Sequence, residues 1–431
     1  MHDETTLAAR AAALDLIEAV LTRHIPFDDA LDAHKGMKAL EPRDRAFVRA
    51  LAATVFRRLG QIDALIQASL AKPGDQLKAP VQDLLRLGVA QLLFLDTAPH
   101  AAVDTTVELA VSRRQTPYKG LINAILRRLS REGREMVTAQ DAGRLNTPDW
   151  LWLAWRKAFG TGATRAIVEA HLTEAPLDIT VKGDPAAWAE RLEAELLPTG
   201  TLRRKAGGNV TDLPGFADGE WWVQDAAAAL PARLFGDLGG KVVYDLCAAP
   251  GGKTAQLAAA GARVTAVDRS DRRLERLRDN LARLGLTAET VVGDAGTWAP
   301  AAPADAVLLD APCSATGTIR RHPDVARLKG PEDVEKLARV QARLLNRAVD
   351  MVRPGGLIVY GTCSLQPEEG EAQVDALLSR RRDVERVPVD AGEVGGLSAL
   401  VTPPGDLRAT PGVLADRGGM DGFFVTRLRR I

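Results

Sequence analysis

The chain has 431 residues, 46% hydrophobic and 26% charged, and its 56 basic side chains are balanced by 56 acidic ones. That mix excludes a disordered chain, and no apolar run approaches the roughly 18 residues a membrane helix needs. Asp3 and Glu4 stand where a secretory signal would be basic, so a cytoplasmic protein of two or three domains is expected.

Residues 1 to about 135 predict an all-α domain. Leu14, Ile17 and Leu21 recur at helical spacing, as do Phe47, Leu51 and Val55, then Leu84, Leu85, Gly88 and Leu92, then Leu121, Ile122, Ile125 and Leu129. Pro26, Pro42, Pro80, Pro99 and Pro117 fall between these stretches, where proline starts or ends a helix. The apolar pattern fades from Gly133 to Thr147, which predicts a linker. A small α+β connecting domain is expected over 145–222. There Trp150, Trp152, Trp155 and Phe159 give a helix an aromatic face, expected to be core, and Leu177 to Val181 predicts a strand.

Asp225 is expected to cap an Ala-rich helix. Beyond it, over 223–431, short apolar runs alternate with helical stretches: Val242 to Leu246, Val264 to Val267, Thr290 to Val292, Ala306 to Leu309 and Leu357 to Tyr360. Uniformly apolar runs of this kind predict a parallel sheet covered on both faces, a Rossmann-like α/β domain, with Phe423 to Leu428 as a closing strand. Arginine clusters lie at 113–114, 127–128, 203–205 with Lys205, 320–321 and 380–382. Each taken singly is more often a solvated face than a phosphate site.

In open α/β sheets ligands sit beyond the carboxyl ends of the strands. The first run ends in Cys247-Ala248-Ala249-Pro250-Gly251-Gly252-Lys253-Thr254, small residues that let a ligand approach backbone N–H groups where a helix starts. Asp268 ends the second run about 20 residues on, at an open strand end where an acid can bind both hydroxyls of a ribose. Asp294 and Asp310 follow the third and fourth. The glycines fit neither the GxGxxG of nicotinamide enzymes nor the GxxxxGK[ST] of nucleoside triphosphatases. An adenosine-bearing ligand with a carboxylate, S-adenosylmethionine, fits better.

The three cysteines, Cys247, Cys313 and Cys363, are far apart, with no CxxC pair and no histidine at ligand spacing, so neither a disulfide framework nor a metal site is expected. Cys313 and Cys363 both follow strand ends at the binding edge. Carbon 5 of cytosine is a poor nucleophile, and a thiolate adding to carbon 6 turns the ring into an enamine that accepts a methyl group. A carboxyl group at N3, the place open to Asp310, would stabilise the developing charge. Composition and spacing leave the two thiols equivalent.

At these residues the chain closely resembles the Sun, NOL1 and NOP2 family of RNA cytosine-5 methyltransferases. The strings that carry the resemblance are Val223-Gln224-Asp225, Asp245 through Thr254, Asp310-Ala311-Pro312-Cys313-Ser314-Ala315-Thr316-Gly317, Ile319-Arg320-Arg321-His322-Pro323-Asp324, Gly361-Thr362-Cys363-Ser364, Pro367-Glu368-Glu369 and Asp421-Gly422-Phe423-Phe424. The helical part is similar to the NusB RNA-binding domain in His100 to Asp104 and Leu121 to Arg128. That layout is found in bacterial enzymes that methylate 16S ribosomal RNA.

The resemblance implies that Cys363 is the nucleophile, Cys313 a helper in product release and Asp310 a contact to cytosine. It further implies that Cys247 to Lys253, with Asp268, Asp294 and Asp310, hold the cofactor, and that the protein works on RNA as a monomer. The family's Arg-Val-Asn ahead of the catalytic domain stands here as Thr180-Val181-Lys182. An adenine amino-methyltransferase would need an Asn/Asp-Pro-Pro-aromatic string and a DNA cytosine methyltransferase a later Glu-Asn-Val. Neither is present. A non-catalytic RNA-binding or assembly factor on a degenerate methyltransferase fold is the alternative, opposed by the intact strand-end acids and both cysteines.

Overall fold

The computed structural model describes residues 4–72 and 74–431; Asp3 of the acidic N-terminus lies outside the described residues. Two compact units divide the chain, one formed by 1–173 together with 321–329, the other by 174–320 and 330–431.

The first unit is helical: α1 (Glu4–Leu21), α2 (Phe27–Ala33), α3 (Pro42–Arg57), α4 (Leu59–Ser69), α5 (Ala79–Phe94), α6 (Pro99–Ser112), α7 (Lys119–Thr138), α8 (Ala142–Asn146) and α9 (Asp149–Ala170). Leu51, Val55, Leu84, Leu85, Ile122, Ile125 and Leu129 share one core, as their spacing predicts. The linker expected over 133–147 is instead helix. Here α7 runs on to Thr138 and α8 follows, because Gly133 lets the helix approach Leu93 while Met136 and Val137 reach the core. The intervening Arg131, Glu132, Arg134 and Glu135 mute the apolar signal but are good helix formers. Trp155 is fully buried, edge-on to His171, and Trp152 is buried too, whereas Trp150 and Phe159 are half-buried, so the aromatic face is core only in part.

Residues 321–329 complete this unit from far along the chain. Leu328 packs on the helical core, and the Asp324 carboxylate accepts the Phe27 N–H at 2.9 Å.

The second unit carries two sheets. Strands β1 (Leu177–Val181), β2 (Glu195–Leu196), β3 (Leu202–Arg204) and β4 (Trp221–Val223) form a four-stranded antiparallel sheet in the order β2-β3-β1-β4. Helix α10 (Pro185–Ala189) lies between its first two strands in sequence. The Asp225 expectation is corrected: only turns separate it from the four-residue α11 (Leu230–Arg233), and its carboxylate is spent on the Ala227 N–H and on Arg320.

The large sheet takes β5 (Val242–Leu246), β6 (Arg263–Asp268), β7 (Glu289–Val292), β8 (Ala304–Asp310), β9 (Val352–Thr362), β10 (Val384–Arg386), β11 (Leu407–Ala409) and β12 (Phe423–Arg430). Its order is β10-β12-β9-β8-β5-β6-β7, with β11 also on β12. The five strands from β9 to β7 pair in parallel and the three C-terminal ones antiparallel, so the sheet is mixed. Cores on its two faces are closed by α12 (Gly252–Ala259), α13 (Asp271–Leu284), α15 (Pro331–Met351) and α16 (Glu371–Arg380), while α14 (Val325–Leu328) belongs to the helical unit.

Candidate active site

The carboxyl ends of β5, β6, β8 and β9 deliver the predicted residues to one edge of the sheet. After β5 the chain turns through Cys247 in the left-handed region, φ 62°, and reaches Gly251 at φ 102° before α12 begins. A Cβ on Gly251 would lie 2.7 Å from Leu277, so only glycine serves at this helix start. Ala248 and Ala249 are buried, and Lys253 on the first turn of α12 reaches across to Asp310 at the end of β8, Nζ to Oδ2 2.7 Å. The Phe423 ring lies 5.1 Å from the same ammonium.

Cys313 and Cys363 meet with their sulfurs 3.4 Å apart. Their two loops touch through Gly317, whose N–H donates to the Cys363 carbonyl; a Cβ there would lie 1.9 Å from the Gly422 oxygen. The Ser-Ala-Thr-Gly and Asp-Gly-Phe-Phe strings are thus one packing device.

The surroundings of Cys247 and Cys313 act on their thiols from different sources. Burial, with Asp268, Asp310 and Asp245 nearby, pushes the Cys247 thiol up to about 12, which makes it inert near neutrality. The Cys313 thiol is held well above its ordinary range by its hydrogen bond to Cys363, then by burial and the charges of Cys363 and Glu369. Lys253 is half-buried, and although burial works against its charge, Asp310, Cys363 and Asp245 hold the ammonium above its usual range.

Asp268 departs from the open strand end expected of it. Its side chain is 2% exposed, and it accepts the Ala249 N–H at 3.2 Å and the Ser270 N–H at 3.0 Å, so it also staples the loop after β5. Asp294 stands apart: its carboxylate accepts the Gly296 N–H at 2.7 Å and faces Arg343 at 3.6 Å.

Asp245 and Glu369 are buried acids for which the sequence alone suggested no role. Asp245, inside β5, is fully buried; its Oδ2 accepts the Thr254 hydroxyl and its Oδ1 has no hydrogen-bond partner. Burial pushes its carboxyl up to about 7. A charged residue within an otherwise apolar strand run was its signal. Glu369 is equally buried and accepts hydrogen bonds from the loops of both Cys313 and Cys363.

Two arginines from the expected surface clusters turn inward. Arg320 donates to Asp421 at 2.9 Å and to Asp225, and Arg203 donates to both oxygens of Asp178 at 2.7 Å. Among the described residues no cluster of side chains could hold a metal ion, and no helix is long and apolar enough to cross a membrane.

Comparison with known proteins follows the same division. Residues 238–429 match the family described as 16S rRNA methyltransferase RsmB/F, and residues 7–131 match the NusB family. The chain is 36% identical over 440 residues to the ribosomal RNA small subunit methyltransferase B of Vibrio cholerae, covering 98% of this chain and 97% of that one. Its namesake in Klebsiella pneumoniae is 36% identical over 438 residues, covering 97% of each. The crystal structure of PH0851 aligns with a TM-score of 0.75 at 25% identity over 98% of this chain and 99% of that one. A methyltransferase homologue from Pyrococcus horikoshii aligns with a TM-score of 0.55 at 26% identity, over 64% of this chain and 93% of that one. With likeness running through both units, the chain belongs to the RsmB/F family of 16S rRNA methyltransferases.

Proposed function

We propose that the protein transfers a methyl group from S-adenosylmethionine to carbon 5 of a cytosine in 16S ribosomal RNA, with Cys363 as covalent nucleophile. The observation that carries this reading is the pair of sulfurs 3.4 Å apart at the sheet edge where Lys253 bonds Asp310. The edge also fits the cofactor. Small residues at 248, 249, 251 and 252 leave the backbone approachable at the start of α12, and the free Oδ1 of Asp245 is a buried acceptor for an ammonium group. Cys247 to Lys253 with Asp268 would hold it, Asp294 contributing from its outer position. Bound there, S-adenosylmethionine supplies an electrophilic methyl group.

The residues divide the remaining work. Cys363, its proton given up to solvent, adds as the thiolate to carbon 6 of cytosine as the ring's π electrons move toward N3. Lys253 and Asp310, a donor and an acceptor held together, supply and later recover the proton at N3. Carbon 5, now nucleophilic, takes the methyl group. Two of the influences that keep the proton on Cys313 come from Cys363, and both vanish when that sulfur becomes a thioether. Cys313 then gives its own proton to solvent, and the resulting thiolate removes the carbon 5 proton so that the electron pair re-forms the ring double bond and expels Cys363 as the thiolate. The NusB-like part would hold the RNA.

The test is a pair of variants assayed on 16S rRNA with bisulfite sequencing and denaturing electrophoresis. Cys363→Ala should neither methylate nor form an adduct, whereas Cys313→Ala should accumulate a protein–RNA adduct that survives denaturation. Adducts trapped in Cys363→Ala and absent from Cys313→Ala would exchange the roles. Full activity in both would end the covalent reading.

A further inference from the structure

Glu369 sits in a single turn after β9, fully buried, and its carboxylate receives four hydrogen bonds. The Ser314 N–H and the Gln341 side-chain amide donate to Oε1 at 2.9 and 3.0 Å; the Ser314 and Ser364 hydroxyls donate to Oε2, the latter at 2.6 Å. Ser314 directly follows Cys313, and Ser364 directly follows Cys363. One carboxylate therefore grips the residue next to each thiol, although the two loops are 50 residues apart in sequence. Gln341 of α15 also donates to the Pro312 carbonyl, bracing the Cys313 loop from behind. On the other side, the Glu369 carbonyl accepts the Tyr360 hydroxyl at 2.7 Å and the Thr362 hydroxyl at 3.2 Å, so the turn is itself fixed to β9.

A buried carboxylate answered only by neutral donors is expensive to keep unless every acceptor site is used. A side chain serving packing alone would be apolar here. We propose that Glu369 is a positioning residue for the thiol pair: it sets the spacing of Cys313 and Cys363 and supplies a fixed negative charge beside Cys313. The charge contributes to holding the proton on Cys313. The inference rests on the two-thiol chemistry proposed above, but its electrostatic part can be read without RNA or cofactor.

The experiment compares the full-length protein with Glu369→Gln and Glu369→Asp. Alkylation of each cysteine by iodoacetamide is followed against pH by peptide mass spectrometry. In Glu369→Gln the fixed charge is gone, so the Cys313 alkylation midpoint should fall by about a pH unit or more, while Cys247 is unmoved. Glu369→Asp keeps the charge and should leave that midpoint near wild type. In turnover, both variants should lose kcat at least tenfold with little change in KM for S-adenosylmethionine, because spacing is disturbed and the cofactor loop is not. A folded Glu369→Gln protein with a wild-type Cys313 profile and wild-type kcat overturns the proposal. If the Cys313 profile shifts as expected but kcat does not, the charge beside Cys313 stands and the two-thiol mechanism falls. Should Glu369→Gln fail to fold, Ser364→Ala removes one neutral donor from the same carboxylate. A kcat at least tenfold lower at unchanged cofactor KM then supports the proposal, and a wild-type kcat overturns it.

Discussion

Two ion-paired clusters in the second unit, Arg320 with Asp225 and Asp421, and Lys253 with Asp310, use the same chemistry to opposite ends. In the first, the arginine side chain is 2% exposed and each aspartate 1%. It ties together three segments about a hundred residues apart, and the Asp421 N–H adds a bond to Asp225 at 3.1 Å. In the second, Lys253 is 12% exposed and Asp310 31%, leaving the carboxylate half open at the strand end. A sealed pair has nothing left to offer a ligand and serves architecture. A half-open pair keeps an unused acceptor and a donor beside it. Motif-like strings of equal prominence therefore divide by burial into frame and machinery.

The contrast is broken most forcefully at Arg320. Arg320→Met removes the buried cation from between Asp225 and Asp421, which should lower stability by about 3–5 kcal/mol in urea denaturation. A loss below about 1 kcal/mol would mean the cluster is not the frame described. Lys253→Met should do the reverse, keeping the fold but lowering kcat on the order of 10²–10³-fold, the scale of losing one preorganised donor. Unimpaired turnover with reduced stability would move Lys253 to the architectural side.

Asp268 tests the boundary between the two classes, being both sealed and in the cofactor region. Asp268→Asn should weaken S-adenosylmethionine binding by about 1.5–3 kcal/mol in titration calorimetry. Unchanged affinity would leave Asp268 as a staple of the loop after β5, through the Ala249 and Ser270 N–H groups and Arg273.

The smallest effect concerns Asp245, whose folded carboxyl is raised from an ordinary 3.8 to about 7. Between those values the folded chain holds a proton the unfolded chain lacks, so this group's contribution falls as pH rises through the window. From pH 6 to 7 the loss is about 1 kcal/mol, and Asp245→Asn should flatten that part of the stability profile. Parallel profiles for the two proteins would remove Asp245 as its source.

The strands of the large sheet were readable because burial on both faces leaves uniformly apolar runs such as Val242 to Leu246 and Leu357 to Tyr360. Their ends were readable in turn, which brought Asp268, Asp310, Cys313 and Cys363 into view. What was not readable were partners fixed by tertiary structure. The pair Arg320-Arg321 looks like any exposed basic doublet until Asp225 and Asp421 are seen beside it. Glu369 sits among acids of a turn, with no local sign that both cysteine loops converge on it. Helix α7 outlived its apolar pattern because only one face of that last stretch meets the core, at Gly133, Met136 and Val137.

The return of residues 321–329 to the helical unit gives the protein a history as well as a shape. Synthesis is vectorial, at about 5–20 residues per second, so the N-terminal helices emerge on the order of ten seconds or more before the piece that finishes them. During that interval the Phe27 N–H lacks the Asp324 acceptor, and the place of Leu328 on the core stays wet. The nascent chain must therefore tolerate an incomplete first body while most of the second is being made. A fragment ending at Thr173 would hold the protein at this unfinished stage, without the Asp324 acceptor and without Leu328 on the core.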